Sequence, residues 1–251
     1  MGKAIAIHSY KGGTGKTIIA ANLAHLFAKE GKNVFLIDYD CRSPSQHILF
    51  KEKPDKFYND FLDGKMNLLD VSTEMSSKYN TKGKFTVAFS NPSASAIFGA
   101  ILKDKKWEAK AYQRIASAKD ELMDKHGYDY FILDTSPGIY FASINAIVAS
   151  DLMLLIMKPT EFDFTGTKEL IHGIQDKLSK QRLLILNNYV VQEDSDEESI
   201  RKDLESNFDF KLGHMIPHFC DLLIHGTKGL LAINKPEHEF LKHLDALSKK
   251  I

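Results

Sequence analysis

The chain has 251 residues, of which 43% are hydrophobic and 26% are charged, an ordinary composition for a globular protein with a sizeable core. Its 33 basic and 33 acidic residues cancel, which argues against a protein that coats nucleic acid through bulk charge. Two distant cysteines argue against a disulfide scaffold or a zinc site, and no apolar run approaches the ~20 residues that span a bilayer. We therefore expect a single cytoplasmic domain over residues 1–251.

Short apolar runs alternate along the chain with longer amphipathic segments. The apolar runs predict strands at residues 3–9, 33–39, 84–90, 128–135, 152–158, 182–190 and 211–217. Several of these runs are continuously apolar, as expected of parallel strands that are buried on both faces. The amphipathic segments predict helices at residues 16–31, 107–127, 161–180, 194–208 and 236–250. This alternation predicts an α/β fold with a doubly wound, mostly parallel sheet flanked by helices on both faces.

Two segments do not follow this alternation. Residues 50–84 are polar and rich in lysine, and we expect an irregular excursion there with one short helix near 57–62. Residues 91–106 are expected to form a loop with one helical turn. The final helix has apolar residues at helical spacing, but its lysines and carboxylates balance over 236–251. A membrane-binding helix is usually rich in basic residues, so we expect this helix to pack on the core.

The segment KGGTGKT, residues 11–17, lies between the first predicted strand and the first predicted helix. Its glycines allow backbone angles that turn successive N–H groups inward, and the positive end of the helix points at the same place. Lys16 can reach the terminal phosphates of a nucleotide, and Thr17 can place its hydroxyl on Mg²⁺. The sequence therefore predicts a phosphate-binding loop. Its contacts are expected from Gly12, Gly13, Thr14, Gly15, Lys16, Thr17 and Ile18.

This loop departs from two better-known patterns. A Rossmann loop would need glycine at position 18, where the chain has Ile18. The ordinary phosphate loop, G-x-x-x-x-G-K-[ST], would need glycine at position 10, where the chain has Tyr10. Neither pattern explains the second lysine, Lys11.

Three aspartates follow apolar strands, at the edge of the sheet where α/β proteins bind ligands. LIDYD supplies Asp38 and Asp40, and ILDTSPG supplies Asp134. A carboxylate directly after several apolar residues is costly to bury without a cation or hydrogen-bond donors. A magnesium–phosphate centre offers both, so these aspartates are candidate ligands of such a centre. For Asp38, a turn or helix-capping role is the alternative.

The loop resembles the deviant Walker A motif of the MinD/ParA family of P-loop ATPases, K-G-G-x-G-K-[ST], including its archaeal MinD-like members, which residues 41–50 also resemble. The resemblance implies that Lys11 crosses an ATP-dependent homodimer interface to the partner's phosphates, while Lys16 serves its own nucleotide. It also implies that Asp40 orients the attacking water, that Asp38 lies near Mg²⁺, and that Asp134 holds Mg²⁺ through water. Gly138 would let the following loop move with the γ-phosphate.

The resemblance extends to the base pocket and to the biological role. Asn187, at the end of a predicted strand in LILNNY, would hydrogen-bond adenine, and Pro217 would pack beside the ring. The alternative is that the paired asparagines mark a turn. The resemblance implies an ATP hydrolase that uses ATP/ADP and Mg²⁺ as a switch to position or partition a cargo, with a protein activator or cargo adaptor. A membrane or DNA surface is another implied partner, which the net charge does not support.

Three other functions are weighed. A metal or Fe–S maturation ATPase usually carries a cysteine pair near its dimer interface, whereas Cys41 and Cys220 are isolated. A related tyrosine autokinase would need a tyrosine-rich tail, and residues 190–251 contain no tyrosine. The maturation ATPase is thus disfavoured but stays an alternative, as does a non-catalytic module that dimerises with ATP.

Overall fold

Eight strands form one sheet in the part of the chain that the computed structural model describes, residues 2–175, 178, 181–190, 196–207, 211–225 and 228–251. The strands are β1 Lys3–His8, β2 Val34–Tyr39, β3 Ser72–Glu74, β4 Phe85–Ala88, β5 Tyr130–Thr135, β6 Leu152–Met157, β7 Gln181–Tyr189 and β8 His214–Pro217. Their order is β3-β4-β2-β5-β1-β6-β7-β8. The edge strand β3 is antiparallel to β4, and the other neighbouring pairs are parallel.

Helices cover both faces of this sheet. They are α1 Lys16–Lys29, α2 Gln46–Leu49, α3 Tyr58–Leu62, α4 Ser76–Tyr79, α5 Ala94–Ile101, α6 Lys105–Asp124, α7 Phe141–Ala149, α8 Glu161–Leu170, α9 Glu197–Asn207, α10 Leu222–His225, α11 Leu231–Asn234 and α12 Glu239–Ser248. A π-helical segment, Ile171–Gln175, continues α8.

The central strands bury alternate side chains in different clusters, which explains why they are continuously apolar. In β1, Ile5 and Ile7 pack in the cluster that includes α1 and α12, whereas Ala4 packs in the cluster that includes α6. In β2, Leu36 packs in the first of these clusters and Phe35 packs in the second. Both faces of the sheet are thus covered, and the predicted fold class is confirmed.

Most of the predicted elements are confirmed, with shifts of a few residues at their ends. All seven predicted strands are present, and the short helix expected near 57–62 is α3. The predicted helix at 161–180 corresponds to α8 and the π-helical segment, and that at 194–208 corresponds to α9. Residues 176, 177, 179, 180, 194, 195 and 208 of these two predictions lie outside the described residues.

The sequence patterns missed several elements. The residues of β3 are polar and number only three, so they carry no apolar alternation. Helix α7 is apolar around most of its surface, and α5 is an eight-residue helix where one turn was expected. Helix α4 and the short helices α10 and α11 were not predicted either.

The final helix packs on the core, as predicted. Phe240, Leu244 and Leu247 of α12 are buried in the same cluster as α1, and Ile251 packs against that cluster. Within the described ranges, none of the helices has the length and apolar character needed to cross a bilayer.

Candidate nucleotide-binding site

The glycine loop connects the central strand β1 to helix α1. Gly13 and Gly15 have φ angles of +70° and +93°, in the left-handed region that glycine adopts without strain. Gly15 is the N-cap residue of α1 and has no side chain that could accept a hydrogen bond from the first N–H groups of this helix. These N–H groups and the helix dipole form a site for an anion. A cavity of about 700 Å³ lies over the loop, lined by Gly12, Gly13, Gly15, Lys16, Thr17 and Ile18 and by residues after β2 and β5.

Lys16 lies at the start of α1 with only 7% of its surface exposed. Its Nζ donates a hydrogen bond to Ser9 Oγ at 2.9 Å, and Ser9 Oγ donates to the carbonyl oxygen of Lys11. Burial lowers the pKa of the Lys16 ammonium, whereas the charges of Asp134 and two other aspartates raise it. The ammonium is therefore held at the loop by a hydroxyl group and by nearby carboxylates.

Asp38 and Asp134 occupy paired positions on the neighbouring strands β2 and β5. Their side chains are buried, with exposed fractions of 0% and 1%. In each, Oδ1 is buried without a hydrogen-bond partner among the described residues. Burial raises the pKa of Asp134 to about 6, against the opposing effects of Lys16, Thr17 and Gln46, and burial together with the Asp134 charge raises the pKa of Asp38 well above its ordinary value. The two carboxyl groups thus form a buried acidic pair, and each keeps one oxygen that no described residue contacts by a hydrogen bond.

Gln46, at the start of α2, donates hydrogen bonds to both members of this acidic pair. The sequence pattern did not indicate a role for it. Its Nε2 donates to Asp134 Oδ2 at 2.8 Å, and its backbone N–H donates to Asp38 Oδ2 at 3.2 Å. The backbone N–H of Ser45 donates to the same Asp38 oxygen, and Ser45 Oγ donates to Thr17 Oγ1 at 3.5 Å. The segment after β2 therefore joins Thr17 and both carboxylates in one network.

Asp40 lines the large cavity from the end of β2. Its Oδ1 accepts hydrogen bonds from Ser136 Oγ at 2.6 Å and from the backbone N–H groups of Ser43 at 3.0 Å and Arg42 at 3.2 Å. In the loop after β5, the N–H of Gly138 donates to the carbonyl oxygen of Ser9 at 2.9 Å, with a φ angle of +82° at Gly138. Both loops that follow aspartate-bearing strands therefore contact the glycine loop or each other.

The first residues of the glycine loop pack against helix α8. The Lys11 ammonium lies 4.6 Å from the centre of the exposed Phe162 ring, in a cation–π contact. The Tyr10 ring lies so close to Gly166 that a Cβ at that position would be 2.0 Å from ring atoms. Tyr10, which stands where the ordinary pattern has glycine, is thus accommodated because α8 has a glycine opposite it.

Asn187, at the end of β7, reaches the glycine loop from the other side. Its Nδ2 donates to the carbonyl oxygen of Thr14 at 2.7 Å, and its buried Oδ1 has no partner in the described parts of the chain. Asn187 also lines a smaller cavity of about 120 Å³ together with His218 and Phe219. Pro217, the last residue of β8, does not line this cavity. The structure thus brings Asn187 to the loop and places the two residues after Pro217 at the cavity.

No group of three or more His, Cys, Asp or Glu side chains forms a metal-ligand cluster among the residues that the structure describes. A magnesium ion does not require one, since Mg²⁺ is usually held by one or two carboxylates together with phosphate oxygens and water. The unpartnered Oδ1 atoms of Asp38 and Asp134 fit this mode of binding.

A family model described as an AAA domain matches residues 2–188, which include the glycine loop, all three aspartates and Asn187. The chain belongs to the MinD/ParA family of P-loop ATPases. The septum site-determining protein MinD of Pyrococcus horikoshii, in a structure complexed with Mg-ADP, matches with a TM-score of 0.78 and 22% identity over 100% of this chain and 96% of that chain. At this identity, the likeness between the two structures concerns the fold alone.

Two curated proteins of Bacillus subtilis are similar to this MinD/ParA family member in sequence. The sporulation initiation inhibitor protein Soj is 29% identical over 177 residues, which cover 70% of this chain and 66% of Soj. The tyrosine-protein kinase YwqD is 32% identical over 186 residues, which cover 70% of this chain and 69% of the kinase. Several curated relatives extend well beyond the matched region, which covers from 63% to 66% of their own length.

Proposed function

We propose that this MinD/ParA family member binds ATP with Mg²⁺ at the glycine loop and hydrolyses it to ADP and phosphate. The observation that carries the proposal is the buried acidic pair, Asp38 and Asp134, with an unpartnered oxygen on each side chain beside the buried Lys16. Such a pair is costly to keep ionised near neutral pH unless a cation joins it. A divalent ion bound there together with phosphate, next to the N-terminus of α1, would remove that cost.

Each residue of the site then has a defined task. The backbone N–H groups of the loop and of the first turn of α1 bind the phosphates, and Lys16 leaves Ser9 to contact their terminal oxygens. Thr17, Asp38 and Asp134 would hold Mg²⁺, which when bound would neutralise part of the triphosphate charge. Gln46 fixes the orientation of both carboxylates, as residues behind metal ligands commonly do.

We assign the attacking water to Asp40, whose Oδ1 is fixed by Ser136 and by its own loop. Because Asp40 lines the cavity over the glycine loop, it lies on the side from which water reaches the phosphates. Gly138 couples the loop after β5 to Ser9, so that a γ-phosphate contact with this loop is transmitted to the base of the glycine loop.

Asn187 fits a role in binding adenine as well as in shaping the loop. Its amide nitrogen is used by Thr14, so its unpartnered Oδ1 is the atom left to accept a hydrogen bond from the exocyclic amino group of adenine. His218 and Phe219 would contact the base, with Pro217 setting the start of their loop.

The second lysine supports ATP-dependent homodimerisation. Lys11 is exposed and rests on Phe162, a cation–π contact that contributes about 0.5–1 kcal/mol at an exposed site. Leaving this contact for the partner's phosphates would therefore cost little. Formation of the dimer with ATP and its release on hydrolysis would make the protein a switch for positioning or partitioning a cargo, as the family relationship suggests.

Purified protein tests both parts of the proposal. Wild type should release phosphate and form dimers by light scattering when ATP and Mg²⁺ are present. Lys11→Ala should bind ATP without dimerising, and Asp40→Ala should form a stable ATP-bound dimer that releases no phosphate. Lys32→Ala, a change at an exposed lysine outside the site, is the control and should resemble wild type. A wild-type protein that stays monomeric and releases no phosphate would refute the proposal, and dimers without turnover would favour the non-catalytic module.

A further inference from the structure

A second cavity, of about 290 Å³, lies beside the nucleotide site and is bounded by α3, α5, the start of α6 and the ends of β2 and β5. We call it the side cavity. It shares Arg42 and Ser136 with the cavity over the glycine loop, but none of the loop residues 11–17, all of which are described, lines it. Its volume lies just below the range of about 300–1,000 Å³ that is typical of sites for drug-sized ligands. The side cavity therefore fits a molecule smaller than a nucleotide.

Helix α5 leaves the side cavity open because the residues on its inner face are small. Ala96, Gly99 and Ala100 line the cavity at helical spacing, whereas the large Phe98 and Leu102 are 63% and 67% exposed. A Cβ added at Gly99 would meet nothing within 4 Å among the described residues outside its own part of the helix. At this position α5 is therefore not packed against the opposite wall, although protein interiors are normally close-packed.

Most of the charged side chains on the wall satisfy one another. Lys103 Nζ donates to Asp63 Oδ1 at 2.6 Å, and Trp107 Nε1 donates to the same oxygen at 3.0 Å. Lys65 Nζ lies 3.1 Å from Asp63 Oδ2 and 3.5 Å from Asp60 Oδ1. These contacts fix the Trp107 indole as an apolar wall and leave both lysines and both aspartates paired.

Arg42 and Glu108 are the charged residues of the wall that remain unpaired. Both are half-buried, and neither forms an ion pair within 4.0 Å with any residue that the structure describes. The Arg42 guanidinium lies 3.9 Å from the centre of the Tyr140 ring. Glu108 Oε2 accepts a hydrogen bond from Asn145 Nδ2 at 3.0 Å, which leaves Oε1 free to accept another. Burial raises the pKa of Glu108, against the opposing effects of Arg42 and Asn145, so a cation brought by a ligand would stabilise its ionised form.

We propose that the side cavity binds a free α-amino acid with an apolar side chain, whose carboxylate contacts Arg42 and whose ammonium contacts Glu108. Because these two side chains are more than 4.0 Å apart, a small zwitterion can lie between them and pair with both. The apolar side chain would lie against Leu62, Ala100 and Trp107.

The balance of charge on the wall favours a zwitterion over a ligand with net charge. Three basic and three acidic residues line the side cavity: Arg42, Lys65, Lys103, Asp60, Asp63 and Glu108. A phosphate compound would leave Glu108 without a cation, and a polyamine would leave Arg42 without an anion, which is costly for half-buried charges. Because the glycine loop does not line the side cavity, binding is expected without any nucleotide.

Calorimetric titration of the intact chain without nucleotide tests the proposal, with L-leucine, L-methionine and L-phenylalanine as the probes. At least one of them should bind with a dissociation constant of about 1 mM or lower. The amide of the best binder lacks the carboxylate, and its N-acetyl derivative lacks the ammonium. Each derivative should therefore bind at least about tenfold more weakly than the free amino acid.

Four variants locate the site and assign its charges. Arg42→Met should remove the advantage of the free amino acid over its amide, whereas Glu108→Gln should remove the advantage over the N-acetyl derivative. Gly99→Phe fills the side cavity from α5 and should weaken binding at least about tenfold, and it should not unfold at a lower urea concentration than wild type because glycine disfavours a helix. Gly173→Phe is the matched control, since a Cβ there also meets nothing within 4 Å among the described residues, and it should bind like wild type.

Several outcomes would overturn the proposal. If all three amino acids bind more weakly than about 1 mM, the side cavity holds water alone. If the two derivatives bind as tightly as the free amino acid, or if Gly99→Phe binds it like wild type, the assigned contacts are wrong. Binding of spermidine or inorganic phosphate to wild type but not to Gly99→Phe would assign the cavity to a ligand with net charge. These titrations contain no ATP, so a chain that binds the amino acid and releases no phosphate would contradict the ATPase alone.

Discussion

Replacing Asp134 by asparagine is expected to stabilise the nucleotide-free protein while weakening its binding of Mg²⁺ and ATP. The side chain is 1% exposed, and burial raises the pKa of Asp134 to about 6 from an ordinary value of 3.8. Relative to the unfolded chain, the folded state therefore favours the protonated form of Asp134. Keeping this side chain ionised at neutral pH lowers the free energy of unfolding. Asparagine has nearly the same shape and no charge, and its Oδ1 can still accept the hydrogen bond from Gln46.

The size of the effect follows from the difference between the two pKa values. At 1.36 kcal/mol per pH unit, the change from 3.8 to about 6 corresponds to about 3 kcal/mol at pH 7. Because the folded pKa is the higher one, the penalty is absent below pH 3.8, grows as the pH rises from there to about 6, and is complete above it. Lys16 loses one of its neighbouring charges in the variant, so we expect a net gain of about 1–3 kcal/mol at pH 7.

Urea unfolding without nucleotide, at pH 7 and at pH 5, measures this gain. The advantage of Asp134→Asn should shrink by about 1 kcal/mol at pH 5, because the wild-type folded state is then largely protonated. Asp124→Asn, a change of an exposed aspartate at the end of α6, should stay within about 0.5 kcal/mol of wild type at both pH values. A variant that is less stable than wild type at pH 7 would show that the attraction of Lys16 outweighs burial and would refute the reasoning.

Three further substitutions test other parts of the site. Lys16→Ala should abolish nucleotide binding, and tight ATP binding retained in calorimetry would contradict the role given to this lysine. Gln46→Ala leaves Asp134 Oδ2 without its donor, so Mg²⁺-dependent ATP affinity should fall about tenfold while binding in excess chelator changes little, as two calorimetric titrations would show. Gly15→Ala puts a Cβ 2.6 Å from Asn187 Nδ2 at a φ angle of +93°, so the free energy of unfolding should fall by about 2–3 kcal/mol in urea titrations. An unchanged midpoint would show that the loop has another accessible conformation.

The central strands could be predicted because burial on both faces requires consecutive apolar residues, a pattern that the sequence shows directly. Strands such as VFLIDY and LMLLIM are buried on both faces, so they stand out against amphipathic helices. Helix α7 was not predicted, because FASINAIVA lacks the polar face that would give it a helical period. The polar edge strand β3 exists through pairing with β4, a contact that no local pattern contains.

The residues of the candidate site are likewise of two kinds: some belong to local sequence motifs, and others are brought together only by the fold. The glycine loop and the aspartates at strand ends are local motifs, and their meeting at one edge of the sheet follows from parallel topology. Gln46 carries no such motif, because its importance depends on its distance to Asp38 and Asp134. The packing of Tyr10 on Gly166 likewise joins residues more than 150 positions apart. The tyrosine looked like a departure from the phosphate-loop pattern, and only the facing helix explains it.

The arrangement of charge gives a reason why nucleotide should govern the state of this protein. Burial lowers the pKa of Lys16 and raises that of Asp38 and Asp134, so the site holds three ionisable groups in an environment that disfavours their charged forms. The proposed ATP and Mg²⁺ would bring the opposite charges to these groups and should stabilise the folded chain by mass action. In the proposed complex, Lys16 would leave Ser9, the residue whose hydroxyl donates to the Lys11 carbonyl and whose carbonyl accepts from the Gly138 N–H. Occupation of the site is therefore expected to loosen Lys11 and the loop after β5 together, which would link the dimer contact to the presence of the triphosphate.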